Sequence, residues 1–266
     1  MIEPLKRGAE LMEEIRNTIT ATPTLWWLGH AGFAIKFASI TYYVDPCFGD
    51  LAGRTRRIAT PLQPEEISNA DLLLATHAHP GHLDSAAAKT ILQASRQARL
   101  VLPKGAAAHA NEAGIDFARM TTTDSGLRIE YFKDNLYGRV YAVPSAHPKL
   151  DWTPAAGYPY LGYLIRFGRW TIYHAGDCAA YSELATHLKP FNVSVALLPV
   201  GGKNLSVNQA AQLAEDIGAK WVVPMHYGTF SEDSTESEFV THMLGHRPGL
   251  RFRVFQVGEK WTVPEE

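Results

Sequence analysis

Thr76-His77-Ala78-His79-Pro80-Gly81-His82-Leu83-Asp84 gathers three histidines and an aspartate within eight residues, His77 to Asp84. Neutral imidazole is the commonest protein ligand for zinc, iron, manganese and similar ions, so this spacing suits metal binding. The stretch follows Leu72-Leu73-Leu74-Ala75, an apolar run bounded by polar, Pro and Gly residues that reads as a buried strand. The histidines then sit on the loop at the end of that strand, ahead of an Ala-rich helix predicted over Ser85–Ala94. His77 and His79 are two apart and point the same way in an extended segment. His82 reaches the same cavity from the turn. Three more ligand-type side chains lie just past predicted strands: His147 in Ser145-Ala146-His147, Asp177 in His174-Ala175-Gly176-Asp177, and His226 in Met225-His226-Tyr227. Strand ends at one edge of a sandwich converge, so the four pieces can meet around a metal. The alternative, a His-rich surface turn, does not account for the downstream ligands.

These side chains need strands to carry them. The pattern predicts strands at Thr24–Leu28, Arg99–Leu102, Val193–Leu198 and Trp221–Pro224. Hairpins are predicted from Phe33–Phe37 with Thr41–Val44, and from Arg128–Phe132 with Gly138–Val143 through an Asp134-Asn135 turn. A closing hairpin joins Arg251–Gln256 to Lys260–Val263 at Gly258. Helices are predicted at Ala9–Ile19, Gly105–Ala113 and Ser182–Leu188, and a capping box, Ser206-Val207-Asn208-Gln209, opens another that ends before Gly218. One stretch repeats: Gly32–Tyr43 aligns without gaps on Gly162–Tyr173, matching Gly, Ile, Phe, Thr and Tyr. Each copy soon reaches an acid, Asp45 or Asp177. A duplicated α/β half follows, with two sheets packed face to face and helices outside. No composition break demands a second unit, so residues 1–266 read as one domain with an N-terminal helix, within 1–22, as an appendage.

Composition narrows the function classes. The 266 residues are 46% hydrophobic, enough for a large core, and the formal net charge of −2 leaves no nucleic-acid footprint. No apolar run is long enough to span a membrane. The N-terminus has no apolar signal core. Cys47 and Cys178 lie far apart, which suits reduced thiols and a cytoplasmic setting.

The order His-x-His-x-x-His, His, Gly-Asp, His resembles the metallo-β-lactamase fold superfamily of metal-dependent hydrolases. Trp27-Leu28-Gly29-His30-Ala31-Gly32, Val44-Asp45-Pro46, His174-Ala175-Gly176-Asp177 and Gln256-Val257-Gly258-Glu259-Lys260-Trp261 bring it nearer the ascorbate-6-phosphate lactonase-like branch. The N-acyl-phosphatidylethanolamine phospholipase D type is a more distant likeness. The resemblance runs from Thr24 to Val263 and implies a four-layer αββα sandwich with one or two divalent ions. Zinc or manganese is expected, with iron as the further option. It implies a first site of His77, His79 and His147, and a second of His82 and His226, with Asp177 bridging. One position departs: Gly81 stands where the family usually has an aspartate that ligates the second metal. The second site is then weak or empty, or solvent fills it with help from Asp84, or hydrolysis is lost.

The implied chemistry is attack by metal-held water on a lactone, ester or phosphoester of a small molecule. Asp177 would hold the nucleophile and take its proton; His30 or Tyr227 would protonate the leaving group. Asp45 is expected to accept a hydrogen bond from a ligand histidine, and Asp84 to cap a helix or act beside the metal. His174 reads as core, and His109, His187, His242 and His246 as surface. Arg54, Arg56 and Arg57 could attract an anionic substrate or simply be solvated. Pro148–Tyr160, with Trp152, Tyr158 and Tyr160, is a lid candidate. A partner macromolecule is not implied, whether nucleic acid or membrane, and a homo-oligomer is left open. Two other functions compete: a metal-binding protein of this fold without hydrolysis, and a mononuclear iron redox enzyme.

Overall fold

The structure is a computed structural model in which residues 1–231, 233, 241–243 and 246–265 are described. Two sheets pack face to face. The first has seven strands in the order β13-β1-β2-β3-β4-β5-β6, and the second has six in the order β12-β11-β10-β9-β8-β7. The first comprises β1 (Thr24–Gly29), β2 (Gly32–Phe37), β3 (Ile40–Val44), β4 (Leu72–Leu74), β5 (Arg99–Pro103), β6 (Met120–Thr123) and β13 (Lys260–Thr262). The second comprises β7 (Arg128–Lys133), β8 (Leu136–Pro144), β9 (Leu161–Phe167), β10 (Trp170–His174), β11 (Val195–Pro199) and β12 (Trp221–Met225). Helices α1 (Gly8–Asn17), α2 (Ser85–Ala94) and α3 (Ala107–Glu112) cover the outer face of the first sheet. Helices α4 (Leu184–Leu188) and α5 (Val207–Asp216) pack their apolar residues on the second. This is the four-layer sandwich the sequence led us to expect. No helix among the described residues is long and apolar enough to cross a membrane.

Side-chain alternation explains why β1, β3 and β4 of the first sheet are apolar almost throughout. Leu25 and Trp27 of β1, Tyr42 and Val44 of β3, and Leu72 and Leu74 of β4 face the inter-sheet core. Trp26, Leu28, Tyr43 and Leu73 point the other way, onto the helices. A strand buried on both faces has no polar positions left to show a period of two.

The repeat is visible in the register. In β2–β3, Phe37 pairs with Ile40 and Lys36 with Thr41; in β9–β10, Phe167 pairs with Trp170 and Arg166 with Thr171. Each hairpin turns through a left-handed first residue, Ala38 (φ 50°) or Gly168 (φ 53°). Each then continues into parallel strands, β4 beside β3 and β11 beside β10. The Asp134-Asn135 turn is also as predicted, with φ of 50° and 60°, the left-handed pair a tight hairpin needs.

Three expectations change. The N-terminal helix is no appendage: Leu11, Met12 and Ile15 are buried in the outer core of the first sheet. Lys36 of β2 donates through Nζ to the carbonyls of Ile15 and Arg16 at the end of α1. The closing hairpin does not form, because its two arms join different sheets. Phe252 bridges Val222 of β12, while Lys260–Thr262 pairs with β1. The segment predicted as a helix over Gly105–Ala113 begins as a 3-10 turn, Lys104–Ala106. One strand, β6, was not foreseen; its Thr121-Thr122-Thr123 run lacks an apolar pattern and pairs in parallel with β5 at the sheet edge.

Glu14 fixes α1 to β1. Its carboxylate accepts from Lys6 Nζ (2.5 Å) and from Trp26 Nε1 (2.9 Å). Partial burial alone would raise its pKa, but the Lys6 and Trp26 hydrogen bonds outweigh this and hold it below its ordinary 4.5. A depressed carboxyl pKa contributes stability that is present above the unfolded value and lost as pH falls through the folded one. Glu14→Gln should therefore cost about 1 kcal/mol at pH 7. The difference from wild type should close below the folded pKa, as read from denaturant melts at both pH values.

Candidate metal centre

The strand ends deliver the predicted residues to one edge of the sandwich. His77, His79 and His82 follow β4, Asp45 follows β3, His147 follows β8, Asp177 follows β10 and His226 follows β12. His30 stands in the turn between β1 and β2. Three of these are non-glycine residues held at positive φ: His30 (52°), Asp45 (45°) and His226 (64°). Such backbone is costly and persists where the surroundings fix it. Here the fixing bonds are visible. His30 N donates to Thr229 Oγ1 (2.7 Å), and His30 O accepts from His226 N (2.9 Å) and Trp27 Nε1 (3.0 Å). Asp45 N donates to Leu74 O (2.9 Å).

Asp177 divides the imidazoles into two groups. Its Oδ2 lies 3.7 Å from His77 Nε2 and 3.7 Å from His147 Nε2. Its Oδ1 lies 3.2 Å from His82 Nε2 and 3.2 Å from His226 Nε2. On the first side His77 Nε2 is 3.0 Å from His79 Nδ1. His77, His79 and Asp177 offer ligand atoms all within 4.8 Å of one another, and so do His30, His82 and His226. Tyr160 packs on the first group, its ring 5.1 Å from those of His77 and His147.

A second layer of groups orients this set. Asp45, fully buried, accepts from Thr76 N (2.8 Å), Thr76 Oγ1 (2.6 Å) and His82 Nδ1 (2.7 Å). With Nδ1 bonded to Asp45, His82 turns Nε2 toward Asp177. Asn204 Nδ2 donates to Asp177 Oδ1 (3.3 Å), while its own Oδ1 accepts from Cys178 N (2.9 Å). Gly176 has a φ of 63°, and a Cβ there would lie 2.8 Å from Thr76, so glycine is needed for the close approach of the two sheets.

Charge follows from these contacts. Burial is the largest influence on His77, His79, His147, His226 and His30, and it holds all five below the usual imidazole range, with His77 and His30 well below. They are neutral at pH 7, the form that coordinates a cation. Burial also pulls His82 down, but Asp177 and Asp45 together outweigh it and push it up to about 10. For Asp177, burial raises the pKa, and the surrounding imidazoles, His82 first, overcome that and hold it well below the usual carboxylate range.

This donor set fits a divalent cation. His30 Nδ1 and His147 Nδ1 are buried with no hydrogen-bond partner among the described residues. Unpartnered buried nitrogens are costly, and the two buried carboxylates that favour a proton on His82 equally favour a cation in that proton's place.

Not every predicted role survives. Asp84 does not join the cluster: its Oδ1 caps α2 at Ala87 N (3.0 Å), and its Oδ2 accepts from Phe48 N (3.1 Å) and Gly49 N (2.8 Å). Backbone amides occupy both its oxygens. Tyr227 is buried with its hydroxyl donated to Phe255 O (2.9 Å), out of reach as a proton donor. His30 reaches the cleft, but a neutral imidazole at pH 7 has no proton to spare as the leaving group's acid. His174 is core, bonded through Nε2 to Ala31 O (2.7 Å). Of the lid aromatics, Tyr160 packs on the histidine rings, while Trp152 is 54% exposed. Arg54 lines the cleft but is ion-paired with buried Asp233 and lies over the Phe230 ring.

Lys203 and Asn204 were missed, and both line the cleft, a cavity of about 360 Å³. The internal repeat held the signal for them. The loop after β11 is the counterpart of the histidine loop after β4, so it had to reach the same edge.

A family described as Beta-lactamase superfamily domain matches residues 24–226. A UPF0173 metal-dependent hydrolase of Hyperthermus butylicus is 31% identical over 210 residues, covering 77% of this chain and 83% of the relative. One from Pyrococcus horikoshii is 30% identical over 223 residues, covering 83% and 92%. Among solved structures, Igni18, a metallo hydrolase from Ignicoccus hospitalis, superposes with a TM-score of 0.73 at 22% identity, covering 92% of this chain and all (100%) of that one.

The geometry separates two aspartates that sequence spacing alone could not. Asp45→Asn should weaken metal binding by about 10- to 100-fold, because it unseats His82. Asp84→Ala should cost about 1–2 kcal/mol of stability through the lost cap and leave the metal content as in wild type. Elemental analysis beside thermal melts of both variants checks the pair.

Proposed function

This chain belongs to the beta-lactamase superfamily, and on that premise we propose that it is a metal-dependent hydrolase that opens a lactone or ester, or cleaves a phosphoester, in a small anionic molecule. The observation that carries the reading is the divided carboxylate of Asp177, one oxygen toward His77 and His147 and the other toward His82 and His226. His77, His79, His147 and Asp177 would hold the main cation. Zinc and manganese both suit such nitrogen-and-carboxylate donors, and iron is the further option. A divalent cation supplies Lewis acidity there, acidifying water and polarising the oxygen on which charge develops.

The chain's own groups do the rest. Asp177, kept ionised by the imidazoles, accepts a hydrogen bond from the attacking water and aims it. Asn204 Nδ2 fixes the carboxylate from behind. The Asp45–Thr76–His82 bonds hold the imidazole geometry rigid, so little reorganisation is needed as charge develops. The cleft volume admits a metabolite-sized substrate. Lys203 stands exposed at the cleft. Its ammonium is placed to pair with a carboxylate or phosphate on the substrate, a role the ion pair with Asp233 takes from Arg54. The mouth is open to water, which can return the leaving group's proton where no buried acid is at hand.

Purified protein screened against lactones, carboxylic esters and phosphodiesters tests the proposal. Turnover should appear in one class, be removed by a chelator and return with added metal. His147→Ala should lose metal and lower kcat/KM by more than the roughly 10–100-fold typical of outer-shell changes. Full activity in that variant, or turnover indifferent to chelation, rules the reading out. Lys203→Ala should raise KM for anionic members of the class, and not for neutral ones.

A further inference from the structure

Gly81 is not explained by its own backbone. It is not among the glycines at positive φ, so the chain there would accept another residue. What excludes a side chain is His30. A Cβ built on Gly81 would lie 2.9 Å from His30 Nε2 and 3.3 Å from its Cδ2, with Leu51 next at 3.4 Å. The imidazole of a residue 51 positions earlier fills the volume that a side chain at 81 would enter.

That imidazole is placed as a ligand would be. It is 1% exposed, and its Nδ1 has no hydrogen-bond partner among the described residues. Its ring centroid lies 3.9 Å from that of His226 and 5.4 Å from that of His82. One nitrogen from each of the three lies within 4.8 Å of the others. Backbone bonds to Thr229, His226 and Trp27 leave the ring little room to swing away. An ordinary buried turn histidine would spend its nitrogens on backbone, as His174 does on Ala31 O and Gly176 N.

We propose that His30 is the third imidazole of a second cation site, formed with His82, His226 and Oδ1 of Asp177, and that Gly81 exists to admit it. The inference rests on the reading of this cluster as a metal centre. A neutral ligand where the fold usually supplies a carboxylate leaves the loaded centre one charge more positive, which suits an anionic substrate. A site richer in nitrogen also leans toward zinc, iron or copper over manganese or magnesium.

The experiment is zinc titration of the metal-stripped full chain, with stoichiometry checked by elemental analysis after dialysis. Wild type should bind two ions. His30→Ala should keep the first ion and weaken the second by at least about tenfold. Gly81→Ala, which replaces no ligand and meets no backbone strain, should weaken the same ion because its Cβ presses on the His30 ring. The double variant His30→Ala/Gly81→Asp should regain the second ion. Two ions bound with wild-type affinity by both single variants would overturn the role of His30 and leave the metal centre standing. A wild type that binds no zinc would overturn both.

Discussion

Two buried carboxylates that share one imidazole are the constraint on which the rest of the structure depends. Asp45 and Asp177 are 0% and 6% exposed, and both reach His82, at 2.7 Å and 3.2 Å. Buried negative charge is expensive unless positive charge and hydrogen bonds meet it. Asp45 comes from the first sheet and Asp177 from the second. Satisfying both therefore requires the strand ends of the two facing sheets to meet at this point. Hydrogen bonds between the sheets brace this end. Tyr163 donates its hydroxyl to Ala75 O (2.8 Å), Leu161 N donates to Thr76 O (3.0 Å), and His174 bonds Ala31 O (2.7 Å). The site is thus a seam of the fold, and the strained residues His30, Asp45 and His226 mark where the seam is pulled tight.

The duplicated halves show how one architecture supports two tasks. In each half a hairpin feeds a parallel strand, and the residue just past the hairpin donates its backbone N–H to that strand: Asp45 N to Leu74 O, and Ala175 N to Leu197 O. The first half places its acid at that position, where Thr76 wraps it and it can only orient. The second half delays its acid by two residues, to Asp177, past the left-handed Gly176. The delay carries the carboxylate out to the cleft, between two sets of imidazoles. Position along an equivalent turn decides whether an aspartate braces the site or faces the reactants.

Much of this was legible in the sequence, because strand ends and ligands are local signals. The Leu72–Ala75 run located the histidine loop, and Asp134-Asn135 located a left-handed turn, since short polar side chains tolerate that backbone. Convergence of His147, Asp177 and His226 followed from their places after strands. What was not legible depends on partners distant in the chain. Gly258 turns the backbone as a hairpin would, but nothing local says that Phe252 and Lys260 bond to different sheets. Asp84 has both the residue type and the position of a ligand, yet the amides of Phe48 and Gly49 claim it. Tyr227 sits beside His226 of the cluster, but its ring stacks on Trp27 in the core, with centroids 4.7 Å apart.

Gly81 is the sharpest case of that limit. Read alone, it is a deletion: an acid is missing and a metal site is impaired. Read with His30, it is an exchange, because the space freed by one side chain is taken by another whose backbone is pinned from three directions. The two positions lie on different loops, and neither has a local reason for its identity. His30 pays for a left-handed φ that glycine would adopt freely, and Gly81 gives up a side chain that its own φ permits. Each oddity alone weakens the structure, and each is accounted for by the other. Two costly local choices meet in space, the bare Gly81 leaving the volume that the His30 ring fills, and that pairing is what an exchange of function between two loops looks like.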